Sequence, residues 1–208
     1  MTLTLSEQQA WWDGAATANA ANAVLSNRAH WSMDEFFETG KAWWADHRAF
    51  ALRSGADLFG RRALDFGCGL GSMSRAISEH FAFVVGIDIS AEMLARAEAT
   101  DRILYARIDT YPFPFNPQSF DFCHSSIVIQ HIPMPHSAAY IGELFRMSSK
   151  YVLFDAPTRH ESGPLTGIFI TPEAAIMEVA RDRGFKMLAK ESYGGTADEQ
   201  YRFLFIRT

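Results

Sequence analysis

Cysteine is scarce: the 208 residues contain 2, Cys68 and Cys123. Two thiols cannot staple a chain of this length, so both are expected to stay reduced, and neither sits in metal-ligand spacing. Long apolar runs are missing as well. No stretch approaches the roughly 18 apolar residues that span a bilayer, and the first sixteen residues carry Glu7 and Asp13 in place of a basic region followed by an apolar block. No membrane association and no secretory signal are expected, which points to the cytoplasm. Positive charge is short too. Lys+Arg total 19 against 24 Asp+Glu, for a net charge of -5. The lysines are Lys41, Lys150, Lys186 and Lys190, and Arg61-Arg62 is the one adjacent arginine pair, which reads as a solvated turn. That balance argues against binding a nucleic-acid backbone. Hydrophobic residues at 48% and charged residues at 21% exclude a disordered chain.

What is present divides in two. Residues 1–60 hold all five tryptophans (Trp11, Trp12, Trp31, Trp43, Trp44), many alanines and no alternation. Two helices are expected there, over 6–25 and 33–54, with Ser6 and Ser32 as N-caps. Neighbours on a helix point about 100° apart, so Trp11-Trp12 and Trp43-Trp44 cannot each pack on one face. These helices are read as a cap over residues 61–208. The plainer reading, helices covering one end of a sheet, is preferred to a lid, with Phe36, Phe37, Trp43 and Trp44 the residues to test for a place in a pocket.

From Arg62 onward the pattern alternates. Strands are expected at Ala63–Gly67, Phe83–Asp88, Ile103–Ile108, Phe120–Ile127, Tyr151–Asp155, Phe185–Glu191 and Tyr201–Arg207. Helices are expected at Ser72–His80, Ala91–Ala99, His136–Met147 and Pro172–Arg183, with Ser90 and Thr171 as caps. Prolines 112, 114 and 117 forbid a helix after Asp109. Strands alternating with helices imply βαβ units and a mostly parallel sheet. The last two strands, parted by a helix-free segment with Gly194-Gly195, should form an antiparallel hairpin.

The first strand runs into Leu64-Asp65-Phe66-Gly67-Cys68-Gly69-Leu70-Gly71-Ser72. Glycine lets backbone turn sharply and approach a ligand closely, and the helix that follows turns N–H groups toward the crevice. Asp88 ends the second strand 21 residues past Gly67, where a carboxylate takes ribose hydroxyls. The ligand is therefore read as a nucleoside derivative. The dinucleotide fingerprint Gly-x-Gly-x-x-Gly fails from either start, since Ser72 or Ser74 falls at its last position; a nicotinamide-dependent oxidoreductase is disfavoured. The spacing is Asp-x-Gly-x-Gly-x-Gly. A carboxylate before the loop would repel a pyrophosphate and attract a cation, and S-adenosylmethionine carries both an ammonium and a sulfonium.

From about Arg62 to Thr208 the chain resembles the class I S-adenosylmethionine-dependent methyltransferases. Ala63–Ser72 is similar to that family's first motif and Val84–Leu94 to its second-strand motif. The segment from Asp109 through Phe120-Asp121 resembles its "D…PFP…SFD" stretch, and Ser125 to Pro133 its fourth strand with a "QHIP" ending. Ser148-Ser149-Lys150 departs from the family's Lys-Pro-Gly-Gly-type turn. The resemblance implies an α/β, three-layer Rossmann-like fold: a seven-stranded sheet, mostly parallel with an antiparallel C-terminal hairpin strand, plus the N-terminal helical cap. It places Asp65, Gly67, Cys68, Gly69 and Gly71 around the methionine part of the cofactor. Asp88 would hold the ribose, Ile89 and Met93 the adenine, and Asp109 with Thr110 the adenine amino group. Ser125 and Ser126 stand where the fourth strand meets the cofactor, without a choice between them.

Methyl transfer is an in-line displacement that requires alignment, exclusion of water and, for a hydroxyl, loss of a proton. His131, at the exit of the fourth strand, is the first candidate for that proton, since an imidazole titrates near neutrality. Asp155 is the second, and His160 and Glu161 are further candidates for gripping the acceptor. The fourth strand lacks the Asn/Asp-Pro-Pro-Tyr of enzymes that methylate nucleic-acid amino groups. The expected partner is thus a small-molecule acceptor, oxygen ahead of nitrogen, with S-adenosylhomocysteine as the second product. The rival is a non-catalytic regulator that senses S-adenosylmethionine. Monomer and dimer are both left open.

Overall fold

The structure, a computed structural model, describes residues 4–25, 30–158, 168–193 and 200–208. Two long helices come first: α1 (Leu5–Val24) and α2 (Met33–Arg53). There follow β1 (Gly60–Phe66), α3 (Ser72–Ile77), β2 (Phe81–Asp88), α4 (Ala91–Leu94), β3 (Ile103–Arg107) and β4 (Phe120–Ser125). The chain ends with α5 (His136–Met147), β5 (Ser148–Pro157), α6 (Glu173–Asp182), β6 (Phe185–Tyr193) and β7 (Gln200–Arg207).

The seven strands form one sheet in the order β3-β2-β1-β4-β5-β7-β6. Every pairing from β3 to β5 is parallel; β7 runs antiparallel between β5 and β6. The hairpin expected from residues 185–207 is present, while its Gly194-Gly195 turn lies outside the described residues. The order reverses between β1 and β4, which makes the carboxyl ends of β1, β2 and β4 the natural ligand crevice. Both sheet faces are covered, one by α5 and α6 around Leu144, Phe145, Phe154 and Phe205, the other by α2 and α3 around Trp44, Phe50, Ile77 and Phe122.

Local chemistry sets the ends of the elements. Ser32 caps α2 as expected, in a capping box with Glu35, but α1 is capped by Thr4 with Glu7 and not by Ser6. Both Thr4 and Ser6 have a capping-box partner three residues on, but Gln9 gives its amide to Asp13 while Glu7 accepts the Thr4 backbone N–H. Ser90 caps α4. Thr171 does not cap α6: Pro172 takes that position without a side-chain bond, and the Thr171 hydroxyl is buried without a hydrogen-bond partner. Asn19 interrupts α1 with extended backbone angles. Ser148-Ser149-Lys150, which departs from the family's turn, begins β5, entered directly from α5. Close packing of α2 onto α3 depends on Gly40, where a Cβ would stand 2.6 Å from that of Ser72.

Candidate functional site

A cavity opens at the carboxyl ends of β1, β2 and β4, where an open parallel sheet takes its ligands. Gly67, Gly69, Asp88, Ile89, Met93, Ser126 and His131 line it, together with Gln8 and Trp12 from α1. Gly67 has a φ of +73°, and a Cβ there would lie 2.2 Å from Val128 Cγ2; only glycine brings the loop to this wall. An adjoining cavity is bounded by Asp65, Cys68, Ser72 and Trp43, and shares Gly67 and Ser126 with the first.

Asp88 anchors the loop from below. Its Oδ2 accepts Gly69 N–H at 2.8 Å and its Oδ1 accepts Ser90 N–H at 2.8 Å. A carboxylate has about four acceptor sites on its two oxygens, which leaves capacity for a ligand hydroxyl. Burial pushes the Asp88 carboxyl above its ordinary range, and the N–H groups of Ser90 and Gly69 pull it back. The Gln8 Nε2 amide is buried in the cavity wall with no hydrogen-bond partner, a donor left for a ligand acceptor. Ile89, Met93 and Ile108 supply flat apolar walls beside Asp88. These groups fit a nucleoside with its sugar at Asp88. A cationic tail would reach Asp65 through the shared wall at Gly67.

Several expected residues stand elsewhere. Asp109 and Thr110 are exposed and line neither cavity. Asp109 faces outward because Arg107 Nη2, which also donates to Gln9 Oε1 at 2.7 Å, takes its carboxylate at 2.7 Å. Gly71 serves packing: its φ is +83°, and a Cβ would sit 2.0 Å from the Tyr105 hydroxyl. Ser126, and not Ser125, reaches both cavities; the Ser125 hydroxyl is buried without a hydrogen-bond partner. Cys68 borders the second cavity, and burial holds its thiol well above the usual range, with Asp88 and Asp65 adding to the effect. Of the four aromatics singled out on α2, Trp43 lines the second cavity, whereas Phe36 and Trp44 are core. Phe37 packs under the Arg75 guanidinium, 4.6 Å from its ring centre.

On the far side of the cavity His131 packs edge-on against Trp12, ring centres 5.2 Å apart, near Phe113 and Tyr140. Asp155 lines neither cavity; it is buried and accepts Ser126 Oγ at 2.6 Å. Burial raises its carboxyl above the ordinary range, against the pull of Ser126 and Arg202. His160 and Glu161 lie outside the described residues. Residues that sequence reasoning missed are Gln8, Trp12, Tyr140 and the buried pair His47 and His124. Their one sequence signal is a histidine inside the apolar run of β4. Among the described residues no group of three or more His, Cys, Asp or Glu side chains is arranged to hold a metal ion, and no helix is long and apolar enough to cross a membrane.

Comparison with known proteins gives this geometry a context. Residues 63–150 match the family model described as "Methyltransferase domain". Phosphoethanolamine N-methyltransferase 2 of Caenorhabditis elegans is 38% identical over 81 residues, 36% of this chain and 18% of that protein. The ubiquinone biosynthesis O-methyltransferase of Glaesserella parasuis serovar 5 is 29% identical over 136 residues, 54% of this chain and 58% of that one. The chain thus spans about three-fifths or less of the length of these relatives. Among solved structures, magnesium protoporphyrin IX methyltransferase from Synechocystis, with bound SAH, superposes with a TM-score of 0.75 at 16% identity, covering 98% of this chain and 99% of that one. The [4+2]-cyclase SpnF superposes at 0.70 with 16% identity, covering 100% and 97%. Likeness at such identities establishes the fold alone. Residues 63–150 are thus similar to a methyltransferase domain, and the chain shares its fold over almost its whole length with these solved structures.

Proposed function

We propose that the protein transfers the methyl group of S-adenosylmethionine to a small-molecule acceptor, oxygen ahead of nitrogen. The observation that carries this reading is the Asp88 carboxylate, tied by two backbone N–H groups into the wall of the cavity under the glycine loop. Bound there, S-adenosylmethionine supplies an electrophilic methyl on a sulfonium. Asp88 holds the ribose hydroxyls, Ile89 and Met93 pack on the adenine, and Gly67 and Gly69 give close backbone approach. Asp65 and Cys68 face the amino-acid tail from the second cavity. The cavity continues past Asp88 to Phe113, His131 and Tyr140, space that a sensor without catalysis would not need.

Trp12, Phe113 and Tyr140 give rigid walls for an acceptor, and α1 and α2 cap the site against water. Two groups stand ready for the proton of a hydroxyl: His131 in the wall itself, and Asp155 through Ser126. A cavity walled by α1 and the strand ends suits a small molecule better than a polymer, and the two buried free thiols suit the reducing cytoplasm.

Calorimetric titration with S-adenosylhomocysteine, with NAD as control, tests this reading. The expected dissociation constant is on the order of micromolar for the former, with no heat from NAD. Asp88→Ala should weaken it about 10- to 100-fold, the value of hydrogen bonds to a charged group. Binding of NAD alone would overturn the assignment. Unchanged affinity in the variant would place the ribose elsewhere.

A further inference from the structure

Beside the two cavities runs a chain of buried polar side chains that the glycine loop does not require. Asp65 Oδ1 lies 2.9 Å from His124 Nδ1, and His124 Nε2 lies 3.0 Å from His47 Nδ1. His47 Nε2 stands 3.6 Å from Asp155 Oδ2, the oxygen that accepts Ser126 Oγ at 2.6 Å. The two histidines and two aspartates are 0–2% exposed. They come from four separate elements, α2, β1, β4 and β5, so the fold converges on this line. Ser126 alone among the five borders both cavities.

Counting protons assigns the resting state. A neutral imidazole carries one N–H, so two neutral rings bring two protons to three gaps. Asp65, whose other oxygen accepts Ser74 Oγ at 2.6 Å, takes the His124 Nδ1–H. His124 Nε2 is then an acceptor and takes the His47 Nδ1–H. His47 Nε2 is left with a lone pair facing an ionised carboxylate, and two acceptors cannot bond. The spacings agree: 3.6 Å at this gap is beyond hydrogen-bond reach, against 2.9 and 3.0 Å at the others. One additional proton closes the chain.

We propose that this gap is the proton store of the methyl transfer: the proton shed by a hydroxyl acceptor passes through Ser126 to Asp155 and is held between Asp155 and His47. The inference rests on the reading of the preceding subsection. The acceptor O–H bond breaks and its electron pair goes to the new O–C bond, while the pair of the broken C–S bond leaves on sulfur. Ser126 Oγ gains the acceptor's proton as it gives its own to Asp155 Oδ2. The methyl sulfonium becomes a neutral thioether, so one positive charge vanishes beside the loop as one arrives in the chain. The charge held in this dry region is therefore unchanged, and that matters where desolvated charge is costly.

The surroundings favour this direction of transfer. Asp155 is faced by Ser126 at the end of β4, His47 on α2, Tyr193 on β6 and Arg202 on β7, whose Nε is 3.7 Å from Oδ1. Asp46, 2.9 Å from Arg202 Nη2, and Glu191, 3.8 Å from its Nη1, offset the arginine's charge. Burial raises the proton affinity of Asp155 and holds His47 neutral. His131 is then left to orient the acceptor.

Calorimetry of the 208-residue chain near neutral pH, in two buffers of different ionisation enthalpy, counts the protons exchanged when S-adenosylmethionine and S-adenosylhomocysteine bind. The expected result is about one proton more in the complex with the neutral ligand, by linkage. His47→Gln should abolish the difference while both ligands still bind. Equal counts in the wild-type protein overturn the store, whatever the variant does. A difference that survives His47→Gln overturns it as well. No heat from either ligand overturns the cofactor reading itself, which separates the two failures.

Discussion

The two N-terminal helices start alike and end in different trades. Each opens with a capping box, Thr4 with Glu7 and Ser32 with Glu35. Beyond the caps, α2 sinks Phe36, Trp44, His47 and Phe50 into the body of the domain, and its Gly40 allows contact with Ser72 too close for a Cβ. In α1 the residues of the buried cluster are small, Ala16 and Ala21, and the helix breaks at Asn19. To this lighter packing α1 adds polar ties: Asp13 accepts Ser90 Oγ at 2.6 Å, and Arg107 donates to Gln9 at 2.7 Å. Large apolar burial makes an element permanent, whereas a few hydrogen bonds to a facing loop leave it able to open. In this protein α2 is foundation and α1 is the cover of the cavity.

The strongest way to break that comparison is to truncate one tryptophan in each helix. Trp44→Ala removes a side chain 2% exposed, leaves His80 Nδ1 without its donor at 3.0 Å, and should cost about 3–5 kcal/mol of stability. Trp12→Ala should cost about 1 kcal/mol or less, because Trp12 is only partly buried and faces the cavity. It should instead change which acceptors are used. Urea unfolding of both variants decides the matter; equal losses would mean that α1 is as much foundation as α2.

The same contrast explains what could be read from the sequence. Seven strands and their order of appearance were legible because alternation and turn chemistry are local. So was the crevice, since glycines and an aspartate at fixed spacing encode a loop and its anchor. The outward direction of Asp109 was not legible, because it depends on Arg107, itself pulled by Gln9 from a distant helix. The His47–His124 contact joins residues 77 positions apart, and a single histidine in an apolar strand says nothing of what it faces. The cap of α1 falls on Thr4 and not on Ser6, since both have a capping-box partner three residues on and the choice turns on Gln9 giving its amide to Asp13.

A smaller effect sharpens the comparison through the caps. Ser32→Ala removes the Oγ that accepts Glu35 N–H at 3.3 Å and should lower global stability by about 1 kcal/mol. Thr4→Ala removes the matching bond to Glu7 N–H at 3.3 Å. On this contrast α1 is expected to open before the domain unfolds, so the change should leave the global midpoint unmoved and appear only as faster amide exchange in α1.

The smallest effect concerns acid. Burial of Asp13 works against its ionisation, but hydrogen bonds from Ser90, Glu92 and Gln9, with the Arg107 charge, outweigh it and set its pKa below the ordinary 3.8. A carboxyl lowered on docking contributes stability above its free value and loses it as pH falls through the docked one. The latch should therefore be intact at neutral pH and weaken below about pH 4, with a change of a few tenths of a kcal/mol for so exposed a pair. Amide exchange of α1, referenced to α2 in the same sample to cancel intrinsic pH dependence, should rise on acidification. In Asp13→Ala it should be raised already at neutral pH and respond little to acid. Parallel behaviour of the two helices across that range would mean that apolar packing, and not the Asp13 latch, holds the cover shut.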